Sequence, residues 1–181
     1  MNTEKLLQEV LACGATKAAY IPQEKVVVSA HFREICASNS CGGYGRYWVC
    51  PPDNGDIEEL MAKVRSYPHA ILYQTVGEIE DSYDFEGMTE VGQDHKRLSQ
   101  KIRRAIQPLM EVDYLHLSSG GCNLCVKCAK LTNEPCRHPE EALSSMEGYG
   151  IDVYNTTRDT DLKYINGQNT VTYFGIILFA E

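Results

Sequence analysis

The sequence predicts an α/β domain in which roughly four strands pack against helices, with two cysteine-rich loops between them. Three observations predict it. Apolar residues recur at helical spacing in some segments and cluster or alternate in others, so helix-like and strand-like stretches take turns along the chain. Gly- and Pro-rich stretches break that alternation at short intervals. A length of 181 residues, 43% of them hydrophobic, suffices for one core and falls short of two, so residues 1–181 are expected to form a single domain.

The first helix is expected to run from a cap at Thr3 to about Cys13, with Leu6, Leu7, Val10 and Leu11 apolar and Gly14 as its stop. TKAAYIP then reads as a short strand ending at Pro22. In KVVVSAHFREIC the Val26–Val28 run favours a strand, whereas AHFREICA fits about two helical turns that deliver Cys36 at their end. SNSCGGYGRYWVCPPDNGD has no clean period and reads as an ordered loop. Asp56 caps a helix that buries Ile57, Leu60, Met61 and Val64, and Glu59 completes a capping-box pattern. The stretch from His69 to Ile79 is the clearest early strand, and the acidic EIEDSYDFEGMTEVG after it is expected to be solvated. A long helix spans about Val91 to Val112 on a stripe of Leu98, Ile102, Ile106, Leu109 and Met110, with Pro108 disturbing its last turn. YLHLSS is a strand feeding a cysteine loop. HPEEALSSM reads as a short helix with Pro139 in its first turn, GIDVYNTTRDTDL as another, and TVTYFGIILFA as the final strand. Strand order does not follow from these patterns.

The formal charge of -8 argues against general nucleic-acid binding, which relies on basic surface. No apolar run reaches the length of about eighteen residues that a membrane span needs. MNTEKLLQEVLACGA carries two glutamates and lacks the apolar core of a secretory signal. A cytoplasmic setting is therefore expected, where close-set cysteines read as metal ligands or working thiols before disulfides. An acidic surface also suits a basic partner face, and a homo-oligomer is compatible with the composition.

Eight cysteines dominate the functional signal. In GGCNLCVKCAKLTNEPCRHP, Cys122, Cys125, Cys128 and Cys136 are separated by two, two and seven residues. A regular helix or strand would point some of those sulfurs apart, whereas a loop wrapped around a centre turns all of them inward. The opening spacing matches a cubane-binding run, although such runs usually place the fourth cysteine after about three residues and before a proline. Structural zinc sites more often use two separate C-x-x-C knuckles, so [4Fe-4S] is the first expectation and zinc the alternative, with thiol redox chemistry a third. Upstream, Cys36, Cys41 and Cys50 are separated by four and eight residues within CASNSCGGYGRYWVCPP. This set fits a second cluster with an open iron, a non-cysteine ligand or a borrowed cysteine; a single site shared by both loops, or inert thiols, remains the plainer reading. Cys13 lies on an apolar helix face and is expected in the core.

Taken together, the two cysteine motifs resemble an uncharacterised family of predicted metal-binding proteins, a domain of unknown function found in bacteria and archaea, many of them anaerobic. The resemblance extends from about Ala30 to the C-terminus. The family's first motif falls on Cys36, Cys41, Tyr44, Gly45, Trp48, Cys50, Pro51 and Pro52. Its second falls on Gly121, Cys122, Cys125, Cys128, Pro135, Cys136, Arg137 and Pro139, then on Ser145, Met146, Glu147 and Gly150. The resemblance implies metal binding and supplies no reaction.

Tyr44, Tyr47 and Trp48 are expected to shield the site from water, and Arg46 and Arg137 to offset its charge or form surface ion pairs. His138 is a weak ligand candidate; His31, His69, His95 and His116 form no catalytic pattern. Glu147 is expected to accept bonds from loop N–H groups ahead of acting as an acid or base. No dinucleotide fingerprint, Walker loop or radical-enzyme cysteine spacing is present. The expected function is thus electron transfer to or from a redox partner protein through one or two [4Fe-4S] clusters. The alternatives are a reductase with an open iron and a zinc-stabilised interaction module.

Overall fold

A computed structural model describes residues 2–181. Two long strands, β2 (His69–Glu78) and β4 (Thr170–Phe179), pair antiparallel along their whole length, from His69 opposite Phe179 to Glu78 opposite Thr170. Shorter strands flank them: β1 (Lys17–Pro22) beside β2, and β3 (Tyr114–Leu117) beside β4, both antiparallel. The order is β1-β2-β4-β3. The expected helix-and-sheet architecture holds, and every neighbouring pair of strands is antiparallel.

Both faces of the sheet are covered, which is why its central strands carry unbroken buried apolar runs, Ala70–Tyr73 in β2 and Ile176–Phe179 in β4, rather than alternating with polar residues there. Ile71, Tyr73, Ile177 and Phe179 pack on one side with Leu6 and Val10 of α1 (Thr3–Ala12) and Ile102 and Ile106 of α4 (Phe85–Ile106). Ala70, Leu72, Phe174, Ile176 and Leu178 pack on the other, against Val64 of α3 (Ile57–Arg65), Met146, Ile151 and Val153 at the start of α5 (Val153–Thr157). The remaining helix, α2 (His31–Ala37), carries Cys36.

Three local expectations need correction. Asn2, not Thr3, caps α1, its side chain accepting from the Lys5 N–H at 3.0 Å. The acidic stretch is helical from Phe85, because Asp84 caps α4 by accepting the Gly87 N–H at 2.8 Å, and α4 gives way at Ile106 to a 3-10 turn containing Pro108. HPEEALSSM forms turns instead of a helix: its end is held by Ser118, whose N–H donates to Ser144 and whose carbonyl accepts from Met146. Among the described residues, no helix is long and apolar enough to cross a membrane.

Candidate functional site

The first cysteine loop leaves α2 through left-handed backbone at Asn39 and glycines at Gly42 and Gly45. The Gly45 N–H bonds to the Pro51 carbonyl at 2.8 Å, and the Asn39 carboxamide accepts the Tyr44 N–H at 3.1 Å, folding the loop back on itself. It is anchored below by Asn54, which donates to the Gly148 carbonyl and accepts from Arg33. The second loop leaves the end of β3 and closes through a 3-10 turn at Ala129–Thr132.

The two loops dock on each other. The Trp48 indole N–H donates to the Glu134 carbonyl at 2.9 Å. Lys130 Nζ reaches Asp53 Oδ1 at 2.5 Å and lies 4.4 Å from the Trp48 ring centroid. The Tyr47 ring fills the space above Gly121, where a Cβ would come within 2.7 Å of it. Glycine at 121 thus permits the close approach that seats the first loop's aromatic on the second.

Cys122, Cys125, Cys128 and Cys136 line one small cavity of about 20 Å³, bounded by Tyr47, Arg137 and His138. Cys41 and Cys50 flank Gly43, with Cys50 Sγ 3.4 Å and Cys41 Sγ 3.6 Å from where its Cβ would stand. Cys36 lies on α2, where Glu147, Cys41 and Arg33 act on its thiol. All eight cysteines are free; Cys50 is buried, Cys41 is exposed, and Cys13 is packed in the core as expected.

Burial, reinforced by the charges of Cys41 and Cys36, pushes the Cys50 thiol up to about 12. Burial also raises Cys36 and Cys122, each further raised by neighbouring cysteines. Lys96, on α4, is half-buried and carries its ammonium toward Cys122, Cys50 and Cys41; burial lowers its pKa while those thiols oppose the shift. Arg137 has its pKa raised, first by its hydrogen bond with Cys125, and it also donates to the Lys127 carbonyl at 3.1 Å and to Glu134 at 3.2 Å. Burial raises the Glu147 carboxyl, whose hydrogen-bonding partner is its own N–H rather than a cysteine loop.

The expected metal chemistry is not supported by this arrangement. A metal requires thiolates converging at about 2.3 Å on one centre. Among the described residues, no group of three or more His, Cys, Asp or Glu side chains is placed to hold a metal ion. Sharing a cavity wall is not the same as sharing a coordination sphere. The expected [4Fe-4S] clusters, the zinc alternative, cluster-based electron transfer, the open-iron reductase and the zinc-stabilised module are therefore all corrected by this finding.

Other candidates sort simply. His69 accepts or donates at the Tyr20 hydroxyl, 2.9 Å away, and His31 pairs with Glu34. His138 borders the cavity and lies 3.4 Å from Glu141. Arg46 and Tyr44 make no contact with the cysteine cavity. Lys96, Lys130 and Asp53 went unpredicted. Only Lys130, a cation inside a cysteine motif, carried any signal in the sequence.

No curated protein matches the chain, and no solved structure does. A family profile does match, across residues 19–179, and both cysteine loops lie inside it. The chain belongs to that family, described as "Predicted metal-binding protein (DUF2284)".

Proposed function

We propose that the protein works through its thiols, as a thiol–disulfide exchange protein whose working residues are Cys122, Cys125, Cys128 and Cys136, with Cys36, Cys41 and Cys50 as a second set. One observation carries this reading: the four cysteines of the second loop face a common cavity beside a guanidinium. CNLCVKC contains two overlapping C-x-x-C units, a spacing that lets one thiol attack and its neighbour resolve. Cys125 is assigned as the attacking sulfur because the Arg137 guanidinium lies beside it at the wall of the shared cavity. Cys122, the partner of Cys125 in the first C-x-x-C unit, resolves.

The exchange balances as follows. The Cys125 thiolate attacks one sulfur of a substrate disulfide, forming a mixed disulfide and releasing one substrate thiolate, which takes a proton. Cys122 then attacks Cys125, releasing the second substrate thiol and leaving a Cys122–Cys125 disulfide. The substrate gains two electrons and the protein loses them; a small external thiol restores the reduced form. The partner is a disulfide-bearing protein or small molecule. Residues 1–181 act as one unit, and a reducing, cytoplasmic compartment suits a chain with this many free thiols.

Mixed-disulfide trapping tests the reading. Reduced protein should release two thiols from a chromogenic aromatic disulfide per Cys122–Cys125 pair formed. Cys122→Ser should accumulate the mixed disulfide at Cys125, and Cys125→Ser should slow release at least tenfold. Thiols that stay unreactive in the folded protein, accompanied by stoichiometric iron and sulfide or zinc, would overturn it.

A further inference from the structure

We propose that the cavity beneath Lys96 is an anion site, seating the carboxylate or other oxyanion head of a small thiol-reactive substrate beside Cys122; this rests on the thiol-exchange reading. The cavity is separate from the one shared by the four cysteines and meets it at Cys122. Its walls include Lys96, Ser118, Ser119, Gly121, Cys122 and Asn123. With Ser99 and Gln100 they supply a cation, three hydroxyls, two carboxamides and a thiol, and no carboxylate.

Lys96 is the unusual member. It comes from the middle of α4, is half-buried, and among the described residues has no Asp or Glu within ion-pair distance. Its Nζ lies 3.5 Å from where a Cβ on Gly120 would stand, so the left-handed glycine leaves the ammonium room at the mouth of the second loop. A cation drawn out of water without an acidic partner is electrostatically incomplete, and an incoming anion completes it.

The rest of the wall is held in place. The Ser118 hydroxyl is 2.8 Å from that of Ser99, which accepts from the buried Tyr73 hydroxyl at 2.8 Å, and Tyr73 in turn meets His116 Nε2 at 2.8 Å. Asn123 is tethered by donating its side-chain N–H to Gln93 Oε1 at 2.8 Å. The cavity, about 20 Å³, has room for about one water-sized group, so a single oxygen of the oxyanion enters it while the rest of the substrate stays outside. The substrate class is therefore a small acid carrying a disulfide or another sulfur-reactive centre.

Two alkylating probes of similar size that differ in charge test this: iodoacetate, an anion, and neutral iodoacetamide. In each case the Cys122 sulfur bonds to the methylene carbon as the carbon–iodine bond breaks, iodide leaves, and the thiol proton passes to solvent. Rates at Cys122 are read by peptide mass spectrometry in the reduced wild type, Lys96→Gln and Lys96→Arg. The iodoacetate-to-iodoacetamide ratio should fall about tenfold in Lys96→Gln, the effect of removing a unit charge a few ångströms away. Lys96→Arg should keep most of the ratio. Because both rates are measured in the same molecule, a general loosening of the fold cancels. An equal ratio in all three proteins, with Cys122 reacting, would overturn the anion site and leave thiol exchange standing. Failure of Cys122 and Cys125 alike to react with either probe in any of them would overturn both.

Discussion

Tyr73 shows how much a single residue organises here. Its side chain is fully buried, and it lies in register with Gly175 on the neighbouring strand, where a Cβ would collide with its ring. The room so made lets the hydroxyl reach Ser99 and His116, giving a polar chain inside an otherwise apolar layer. A second histidine, His95, stacks on Tyr73 and is fixed by Thr75 at 2.8 Å and the Phe174 carbonyl at 3.0 Å. Burial dominates both titrations, lowering His95 to about 4 and His116 to about 3. Each folded-state value lies below the ordinary histidine value of about 6.5, so the unfolded chain binds protons that the folded protein refuses. The stability these neutral rings allow is complete above about pH 6.5 and declines as pH falls through about 4 and then 3. The slope approaches about 1.4 kcal/mol per pH unit for each ring. Urea unfolding midpoints should therefore drop steadily between pH 6.5 and 4.5, and His116→Gln should flatten the profile. A midpoint independent of pH over that range would show that the rings titrate normally.

At the level of elements, the sequence patterns located every strand, because covered strands carry runs of Val, Ile, Leu and aromatics; the Val26–Val28 run mimics that signal but forms only an isolated bridge from Val28 to Ile151. Helix ends were less legible. EIEDSYDFEGMTEVG looked solvated because its charges outnumber its apolar residues, yet one face of a helix is all that must be buried, and Asp84 supplies the start. Its carboxylate accepts the N–H groups of Glu80 and Gly87, and those bonds hold its pKa below the ordinary range. Asp84→Ala should unravel the first turn of α4 while leaving the sheet intact. Hydrogen exchange at Gly87 and Met88 should accelerate while amides of β2 and β4 remain protected; unchanged protection at Gly87 would show that the cap is dispensable. HPEEALSSM misled for the opposite reason. Its helical propensity is real, but the bridge from Ser118 to Ser145 claims the backbone in a way local sequence does not encode.

Across the whole molecule, the cysteine motifs announce themselves, but the groups that decide what the sulfurs can do come from elsewhere in the chain. Lys96 arrives from α4, more than twenty residues from either cysteine group, and no spacing rule connects it to them. The docking of one loop on the other likewise depends on a pair, Lys130 and Asp53, whose side chains are 21% and 18% exposed. At that burial the pair is worth more than a solvent-facing salt bridge, because losing the cation strands a carboxylate whose second oxygen, Oδ2, is already buried without a partner. Lys130→Met keeps the length of the side chain but removes the charge, both from Asp53 and from the face of Trp48. The cost should be about 1–3 kcal/mol, concentrated at the loop–loop contact rather than in the sheet. Trp48 is the single tryptophan in the chain, so its fluorescence reports that contact directly. Emission should shift to the red and become more open to quenching by iodide in Lys130→Met. Asp53→Asn should do the same more weakly, because the amide can still accept a bond from Lys130. Emission identical to wild type in both variants would mean that the Trp48–Glu134 bond and the seating of Tyr47 on Gly121 hold the loops together without the ion pair.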